Sequence, residues 1–283
     1  MAEEYGPTVA KRRLARRLAE LRVKNGYTAN QVCDRLNWGR GKVGRFEANL
    51  WRRPEMSDIR DLLRIYDVEP AEREELEQLA MLARVRAWWR DYPDVFGESE
   101  YPGFEADASR ISVYMPLILP GLLQTTAYTE VHMTVGTRSA QWRDRAMQVR
   151  QRRQGVLERA DGTAPELVAV VTEASLLYRW GTQADRRDQV HYLIDMGQRA
   201  GVELRMLPFV RGPHPGMSSL ISIFDFPGDE PGIVYLENDA QVQEVTNSGD
   251  VEQYAAIFGS IREAALDAQA TTAYLKRLGE TLE

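Results

Sequence analysis

The segment DRLNWGRGKVGRFEANLWRRP, residues 34–54, concentrates side chains suited to binding a nucleic acid. Lysine and arginine neutralise backbone phosphates, and arginine also pairs bidentately with the edge of a guanine. Arg40 is the candidate for such a guanine contact. The basic residues of the segment are Arg40, Lys42, Arg45, Arg52 and Arg53.

Charge is unevenly distributed along the chain. Residues 1–53 contain 13 Lys+Arg and 5 Asp+Glu, whereas the remaining 230 residues contain 23 and 37. The formal net charge of the whole chain is −6. A basic end on an acidic body is expected when that end meets phosphate, but a basic solvated face gives the same composition. Charge alone leaves both interpretations open.

The basic segment must be positioned by helices, which the sequence predicts. Leucines at helical spacing predict a first helix over residues 8–24. Thr28 and Gln31 form the Thr-x-x-Gln pattern of a capping box, so a second helix is expected to begin there. A short third helix follows and places Val43 and Phe46 inward. Two further helices complete a five-helix unit over residues 1–90, in which the second and third helices form a helix-turn-helix.

Glycine is frequent in the predicted third helix. Gly39 is expected at its N-cap, and Gly41 and Gly44 in its interior, where each costs roughly 0.8–1 kcal/mol of helix propensity relative to alanine. The two interior glycines together handicap the helix by roughly 2 kcal/mol. The segment is therefore either a working DNA-reading helix or a retained scaffold whose reading function has decayed.

The composition changes after residue 90. Residues 91–110 are rich in proline, glycine and aromatic residues, which predicts a connecting segment packed on the surface. Residues 111–283 are predicted to form an α+β domain, with strands in four segments rich in β-branched residues. These segments are 165–176, 202–210, 219–227 and 232–238. The fold class is thus mainly α with an α+β C-terminal half, in which a small mixed or antiparallel sheet is covered by helices.

Motifs in both halves resemble known regulators. The N-terminal half resembles the Xre-type helix-turn-helix, and the C-terminal half resembles the Scr1-like (DUF5753) domain of large actinobacterial regulators. The N-terminal motifs are RRLARRLAELR, GYT, VCDRLNW, KVGRFE and DIRDLLRIYDV. The C-terminal motifs are AWWRDYPDVF, PGLLQTTAY, RQRRQGVL, TEASLLYR, LPFVRGPHPG, FDFP and VYLEN.

The resemblance implies a sequence-specific transcriptional regulator that binds double-stranded DNA, commonly as a homodimer, and whose C-terminal domain senses a ligand or binds a partner. It places the DNA-facing positions at Thr28, Ala29, Asn30, Gly39, Arg40, Gly41, Lys42, Gly44 and Arg45. Four positions depart from the family pattern. Ala29 stands where glutamine is usual, Gly39 replaces a serine cap, and Gly41 and Gly44 replace serine or threonine. These departures remove small polar groups that fix register and read bases.

Two other functions remain open. The first is a regulator fold repurposed to bind or cyclise a small molecule in natural-product biosynthesis. Its candidate pocket residues are Trp88, Trp89, Tyr178, Trp180 and Tyr235, and its candidate acid/base groups are Glu173 and His214. The aromatic cluster that begins at the tryptophans is equally explained as a hydrophobic seam between the two halves. The second function is that of an antitoxin-like module that binds a small neighbouring protein.

Neither a metal nor a cofactor is expected. The three histidines show no metal-ligand spacing, and the single Cys33 cannot form a thiolate cluster. No apolar run approaches ~18 residues and no hydrophobic signal core precedes the first helix, so we expect a cytoplasmic protein without a membrane partner. The basic helix around residues 140–160 is either a second phosphate contact, a site for an acidic partner, or a solvated face with salt bridges.

Overall fold

A computed structural model describes residues 5–51, 53–135, 137–160, 162–237 and 242–282. The chain forms two compact units, Met1–Asp91 and Tyr92–Glu283. The first unit is helical and the second combines a sheet with helices. This architecture confirms the predicted fold class.

In its described residues, the first unit contains five α-helices. They are α1 (Pro7–Lys24), α2 (Ala29–Arg35), α3 (Lys42–Glu47), α4 (Met56–Ile65) and α5 (Pro70–Ala83). The capping box at the start of α2 is confirmed, because the amide of Gln31 donates to the Thr28 hydroxyl at 3.2 Å and the Gln31 side chain accepts from the Thr28 amide at 2.8 Å. Apolar positions at helical spacing, such as Leu14 and Leu18, are fully buried. Helix α1 begins one residue before the expected position.

The second unit alternates helices and strands. Its helices are α6 (Pro93–Phe96), α7 (Tyr101–Asp107), α8 (Thr126–Thr134), α9 (Ala140–Gln154), α10 (Ala174–Leu177), α11 (Gln183–Gly197), α12 (Ser248–Ala264) and α13 (Ala268–Thr281). Its strands are β1 (Arg110–Met115), β2 (Glu166–Thr172), β3 (Val202–Leu207), β4 (Ile221–Asp225), β5 (Ile233–Glu237) and β6 (Val242–Val245). Two of the helices lie in the segment expected to be a connection. No helix in the described ranges combines the length and apolar character that crossing a membrane requires.

The six strands form one mixed sheet in the order β3-β2-β1-β4-β5-β6. Strands β1, β2 and β3 are mutually parallel, whereas β4 pairs antiparallel with β1 and begins the antiparallel part. Tyr114 of β1 lies opposite Val170 on one side and Ile221 on the other. The C-terminal ends of β1, β2 and β3 and the N-terminal end of β4 therefore lie at the same end of the sheet.

Helices cover both faces of this sheet. On one face α12 contributes Phe258 and Ile261 to a buried cluster that includes Tyr114 and Ile223. Side chains alternate along a strand, so Phe224 points to the opposite face. There its ring packs against α7, with ring centroids 5.2 Å from Tyr101 and 6.2 Å from Phe104. Because both faces of the sheet are buried, the sequences of the inner strands are short, nearly continuous runs of apolar residues.

The outer edge of β3 is closed by the segment that leads into α13. The amide of Met206 donates to the Thr271 hydroxyl at 2.9 Å, and the carbonyl of Met206 accepts from the amide of Leu266 at 2.8 Å. Thr271 is 1% exposed. Backbone groups that an edge strand would otherwise leave unpaired are thus satisfied within the chain.

An ion cluster fastens α12 to β3 and makes stability depend on pH. Glu203 receives bidentate hydrogen bonds from Arg262 at 2.8 and 2.7 Å. These bonds hold the pKa of Glu203 below its ordinary value, although burial opposes them. The cluster therefore stabilises the fold above the ordinary carboxylate pKa of about 4.3, and the stabilisation is lost as the pH falls through the lowered pKa.

We expect Glu203→Gln to lower the free energy of unfolding by about 1 kcal/mol at pH 7 and to have a smaller effect near pH 3, where more of the carboxylate is protonated. Urea unfolding of the full-length chain at both pH values measures the difference. Glu158→Gln is the matched control, since Glu158 lies 3.8 Å from Arg199 and its side chain is 65% exposed. An equal loss at both pH values would contradict the role of the carboxylate charge.

Candidate nucleic-acid interface

One ion pair holds α3 against α1. Arg22 donates from Nε to Glu47 Oε1 at 2.6 Å and from Nη2 to Glu47 Oε2 at 2.9 Å. The remaining nitrogen, Nη1, donates to the carbonyl of Tyr27 at 2.7 Å. The side chains of the pair are 18% and 14% exposed, and the hydrogen bonds to Glu47 raise the pKa of Arg22. A single guanidinium therefore joins the end of α1, the end of α3 and the turn before α2.

The turn before α3 has a geometry that glycine favours. Gly41 is the N-cap of α3 and adopts φ of +81°, in the left-handed region. Its expected place inside the helix is therefore wrong, since α3 begins at Lys42. Only Gly44 lies within the helix, so the propensity cost falls to about 1 kcal/mol. At Gly41, glycine relieves strain that an L-residue would carry.

Lys42 is held within the first unit. Its ammonium donates to Asp58 Oδ1 at 2.7 Å and lies 4.0 Å from the centroid of the Trp38 ring. The Lys42 and Asp58 side chains are 29% and 18% exposed. The Trp38 ring in turn packs near Phe46, with centroids 6.1 Å apart. The Lys42 ammonium therefore connects α3 to α4 and stabilises the turn before α3.

Three arginines around α3 remain available to a ligand. Arg40, Arg45 and Arg53 are exposed, and within the described part of the chain no hydrogen bond or ion pair involves their guanidinium groups. Thr28 and Asn30 are exposed at the start of α2, although the Thr28 hydroxyl already serves the capping box. The predicted contact Arg52 lies outside the described residues.

Other basic residues of α1 are neutralised by α5. Arg17 forms a short ion pair with Glu72, and Arg13 lies 3.6 Å from Glu75. Part of the positive charge of residues 1–53 therefore belongs to side chains that pair with carboxylates of α5. No carboxylate pairs with Arg40, Arg45 or Arg53 in the described residues, so the segment around α3 keeps positive charge that could attract phosphate.

The basic helix α9 uses its arginines inside the second unit. Arg153 and Glu105 form a bidentate pair at 2.8 Å, with side chains 12% and 3% exposed. Arg145 binds Asp94 at 2.8 and 2.9 Å. Arg150 lies against the backbone of Gly121, where a Cβ would approach its Nη1 to 1.7 Å. The helix is therefore tied to neighbouring helices by ion pairs, one of them buried.

Two of the candidate pocket residues lie in the first unit and three in the second. Trp88 and Trp89 pack edge to face at 6.0 Å in the 3₁₀ turn that ends the first unit. In the second unit, Trp180 is 8% exposed and packs on Tyr128 at 4.8 Å. Tyr235 is 4% exposed and its hydroxyl lies 2.6 Å from that of Ser99. Tyr178 is 55% exposed.

The candidate acid/base residues occupy different surroundings. Both carboxylate oxygens of Glu173 are bound in short hydrogen bonds, one to the Tyr274 hydroxyl and the other to the Phe209 amide. His214 Nδ1 lies 2.8 Å from the carbonyl of Pro215, and its Nε2 lies 3.5 Å from the Tyr114 hydroxyl. The structure thus shows Glu173 connecting loops and α13, and His214 packed edge-on against β1.

Sequence reasoning missed the residues that position α3. Of these residues, Glu47 could have been recognised from the sequence, because it is the only carboxylate in residues 35–54. A single acid in a strongly basic segment suggests an internal partner. Nothing local to Arg22 or Asp58 marks them, since their partners are distant in the sequence.

Two family models match the chain. One, described as a helix-turn-helix domain (HTH_31), matches residues 13–76, which include α2, α3 and the turn between them. The other, described as a domain of unknown function (DUF5753), matches residues 99–277, more than half of the chain. Comparison with curated proteins and with solved structures gives no match.

We expect Arg22→Met or Glu47→Leu alone to lower the opening free energy of α2 and α3 by about 1–3 kcal/mol, since each leaves a charged partner unpaired. The double variant should lose less than the sum of the two. Hydrogen–deuterium exchange of the α2 and α3 amides in the full-length chain measures this opening. Arg64→Met, which removes a 71% exposed partner of Asp61, is the control. Additive losses would show that the two side chains act independently.

Replacing the two glycines before α3 should have opposite outcomes. Gly41→Ala should destabilise the turn by about 1–2 kcal/mol because of its positive φ. Gly39→Ala should have little effect, since an added Cβ meets nothing within 4 Å and φ is not positive. Hydrogen–deuterium exchange rates of the backbone amides of residues 36–50, measured in both variants, compare the two substitutions. Equal effects would contradict the left-handed N-cap.

Proposed function

Since the chain belongs to the DUF5753 family and carries a helix-turn-helix domain ahead of the DUF5753 region, we propose that it is a sequence-specific, DNA-binding transcriptional regulator. The helix-turn-helix is a DNA-binding fold whose second helix enters the major groove. In this chain that helix is α3.

The observation that carries the proposal is the group of exposed arginines around α3. Arg40, Arg45 and Arg53 have no internal partner in the described part of the chain, whereas arginines of α1 are paired with α5. Three exposed cations in one short segment, residues 40–53, create a positive potential that attracts an anion. DNA supplies both phosphate anions and the acceptor atoms of guanine edges, which a helix in the major groove can reach.

The proposal assigns distinct roles to these residues. Arg40 and Arg45 contact base edges in the major groove, and Arg53 and Arg52 bind phosphates. Asn30 and the backbone near Thr28 contact phosphate at the start of α2. Lys42 positions α3 through Asp58 and Trp38, and adds positive potential more than a direct contact.

The reading helix is only six residues long, so one copy presents few base-reading groups. Two copies on two half-sites double the contacts, and helix-turn-helix proteins commonly bind in this way. We therefore include a homodimer in the proposal. The DUF5753 domain is proposed to receive the regulatory signal, as a partner-binding or sensing domain.

Two variants separate base reading from phosphate binding. Arg40→Ala should cost about 1–3 kcal/mol at one base pair of the operator and should relax specificity there. Arg53→Ala should weaken binding to all duplexes about equally and reduce the salt slope by about 1. Fluorescence anisotropy with duplexes from the upstream genomic region, at several salt concentrations, measures both.

Arg64→Ala is the matched control, because it removes the same charge from a residue of α4 paired with Asp61. It should leave the DNA affinity unchanged. If Arg64→Ala and Arg40→Ala weaken every duplex equally, general charge rather than the α3 surface controls binding, and the proposal fails.

A further inference from the structure

Seven exposed apolar side chains of the second unit lie in the segments at one end of the sheet, in loops and in the short helix α10. They follow β1, β2 and β3, and one precedes β4. We call this set the strand-end surface: Leu117, Ile118, Leu177, Tyr178, Phe209, Val210 and Met217. Their exposed fractions run from 36% for Ile118 to 91% for Val210. Soluble chains rarely leave contiguous apolar groups of this size in water without an interaction to serve.

Hydrogen bonds and ring contacts show that these loops adjoin one another. The Thr172 hydroxyl donates to the carbonyl of Pro116 at 2.6 Å, which joins the end of β2 to the loop after β1. The Phe209 amide binds Glu173, which joins the loop after β3 to the loop after β2. The ring of His214 packs edge-on against Tyr114 of β1, with centroids 5.8 Å apart. The segments that carry the seven apolar side chains therefore adjoin one another at this end of the sheet.

Buried polar groups hold the loops in place beneath their apolar tips. The Tyr128 hydroxyl, on a side chain 1% exposed, accepts from the amide of Leu119 at 3.1 Å and donates to the carbonyl of Ser175 at 3.3 Å. Glu173 is bound by Tyr274 of α13 as well as by Phe209. Loops fixed in this way lose little conformational entropy when they bind a partner.

The strand-end surface is cationic, although the chain as a whole is acidic. Arg179 and Arg211 are exposed in its loops, and no carboxylate binds either of them in the described ranges. The loops 116–120, 173–181 and 208–220 contain one carboxylate, Glu173, whose oxygens are already bound. A complementary ligand must therefore supply both apolar groups and negative charge.

We propose that the strand-end surface binds an acidic amphipathic segment of a partner protein. Apolar side chains of the segment pack on Phe209, Val210 and Tyr178, and its carboxylates pair with Arg179 and Arg211. This inference rests on the proposed partner-binding role of the DUF5753 domain and is independent of DNA reading by α3.

Two other occupants fit the charges less well. A second copy of the chain, related by a two-fold axis through this surface, would bring each patch against itself. Arg179 and Arg211 would then meet a copy of the same cationic surface, whose loops offer no free carboxylate to pair with them. An anionic membrane is usually held by four to eight basic residues, whereas these loops offer two.

The test uses the full-length chain and two fluorescein-labelled 18-residue helical peptides. Both peptides carry the same leucine and phenylalanine face, and the other face is glutamate in one and lysine in the other. We expect saturable binding of the acidic peptide and at least tenfold weaker binding of the lysine peptide. The double variant Arg179→Glu/Arg211→Glu should reverse this preference, and Val210→Asp should weaken the acidic peptide at least tenfold.

Matched controls come from elsewhere in the second unit. Arg187→Glu/Lys276→Glu makes the same charge change at exposed residues of α11 and α13, and Val135→Asp places a charge at a valine that is 76% exposed. Neither control should change peptide binding. Duplex binding by each variant, measured in parallel, should stay at the wild-type level, so a failed peptide test and a failed DNA test are distinguishable.

Three results would overturn the inference. The first is equal binding of the two peptides, or of neither. The second is stronger binding to phosphatidylserine–phosphatidylcholine vesicles that Val210→Asp abolishes, which assigns the surface to a lipid. The third is a dimer in sedimentation that Val210→Asp dissociates, which assigns it to a second copy.

Discussion

The helix-turn-helix of this chain depends on the ion pair between Arg22 and Glu47. A helix of six residues is too short to be stable alone, because nucleation fixes several residues for few hydrogen bonds. Helix α3 persists because Val43 and Phe46 are buried and because Glu47 binds the guanidinium at the end of α1. The same guanidinium binds the Tyr27 carbonyl, so one side chain connects α1, α3 and the turn before α2. The exposed arginines can act together only while this arrangement holds.

Local patterns predicted most of the first unit, and their failure at Gly41 is informative. Leucine spacing and the capping box located α1 and α2, because both signals act within a few residues. Helix propensity treats a glycine as a cost wherever it stands near a helix. At Gly41 the backbone has positive φ, so the glycine favours the turn and the cost disappears. The pairing of Lys42 with Asp58 was beyond local reasoning, since it depends on how α3 and α4 pack.

In the second unit the strands from β2 to β5 were predicted, but β1 and β6 were missed. Strand β1 lies between β2 and β4, and its short apolar run follows a segment rich in proline and glycine, so its period could not be distinguished from loop or helix. The residue type of Glu173 suggested proton transfer, which stays a prediction. Its hydrogen bonds to Tyr274 and Phe209 could not be predicted, because both partners are distant from it in the sequence.

The closed edge of β3 has a consequence for how the sheet meets other chains. Thr271 and Leu266 occupy the hydrogen-bonding groups of Met206, so a foreign strand finds no pairing partner there and cannot extend the sheet at that position. Recognition by strand addition would first require α13 to detach, at the cost of its buried Leu275 and Leu278. Helix α13 thus protects β3 from templated self-assembly at Met206, and the solubility of the sheet depends on the packing of Leu275 and Leu278.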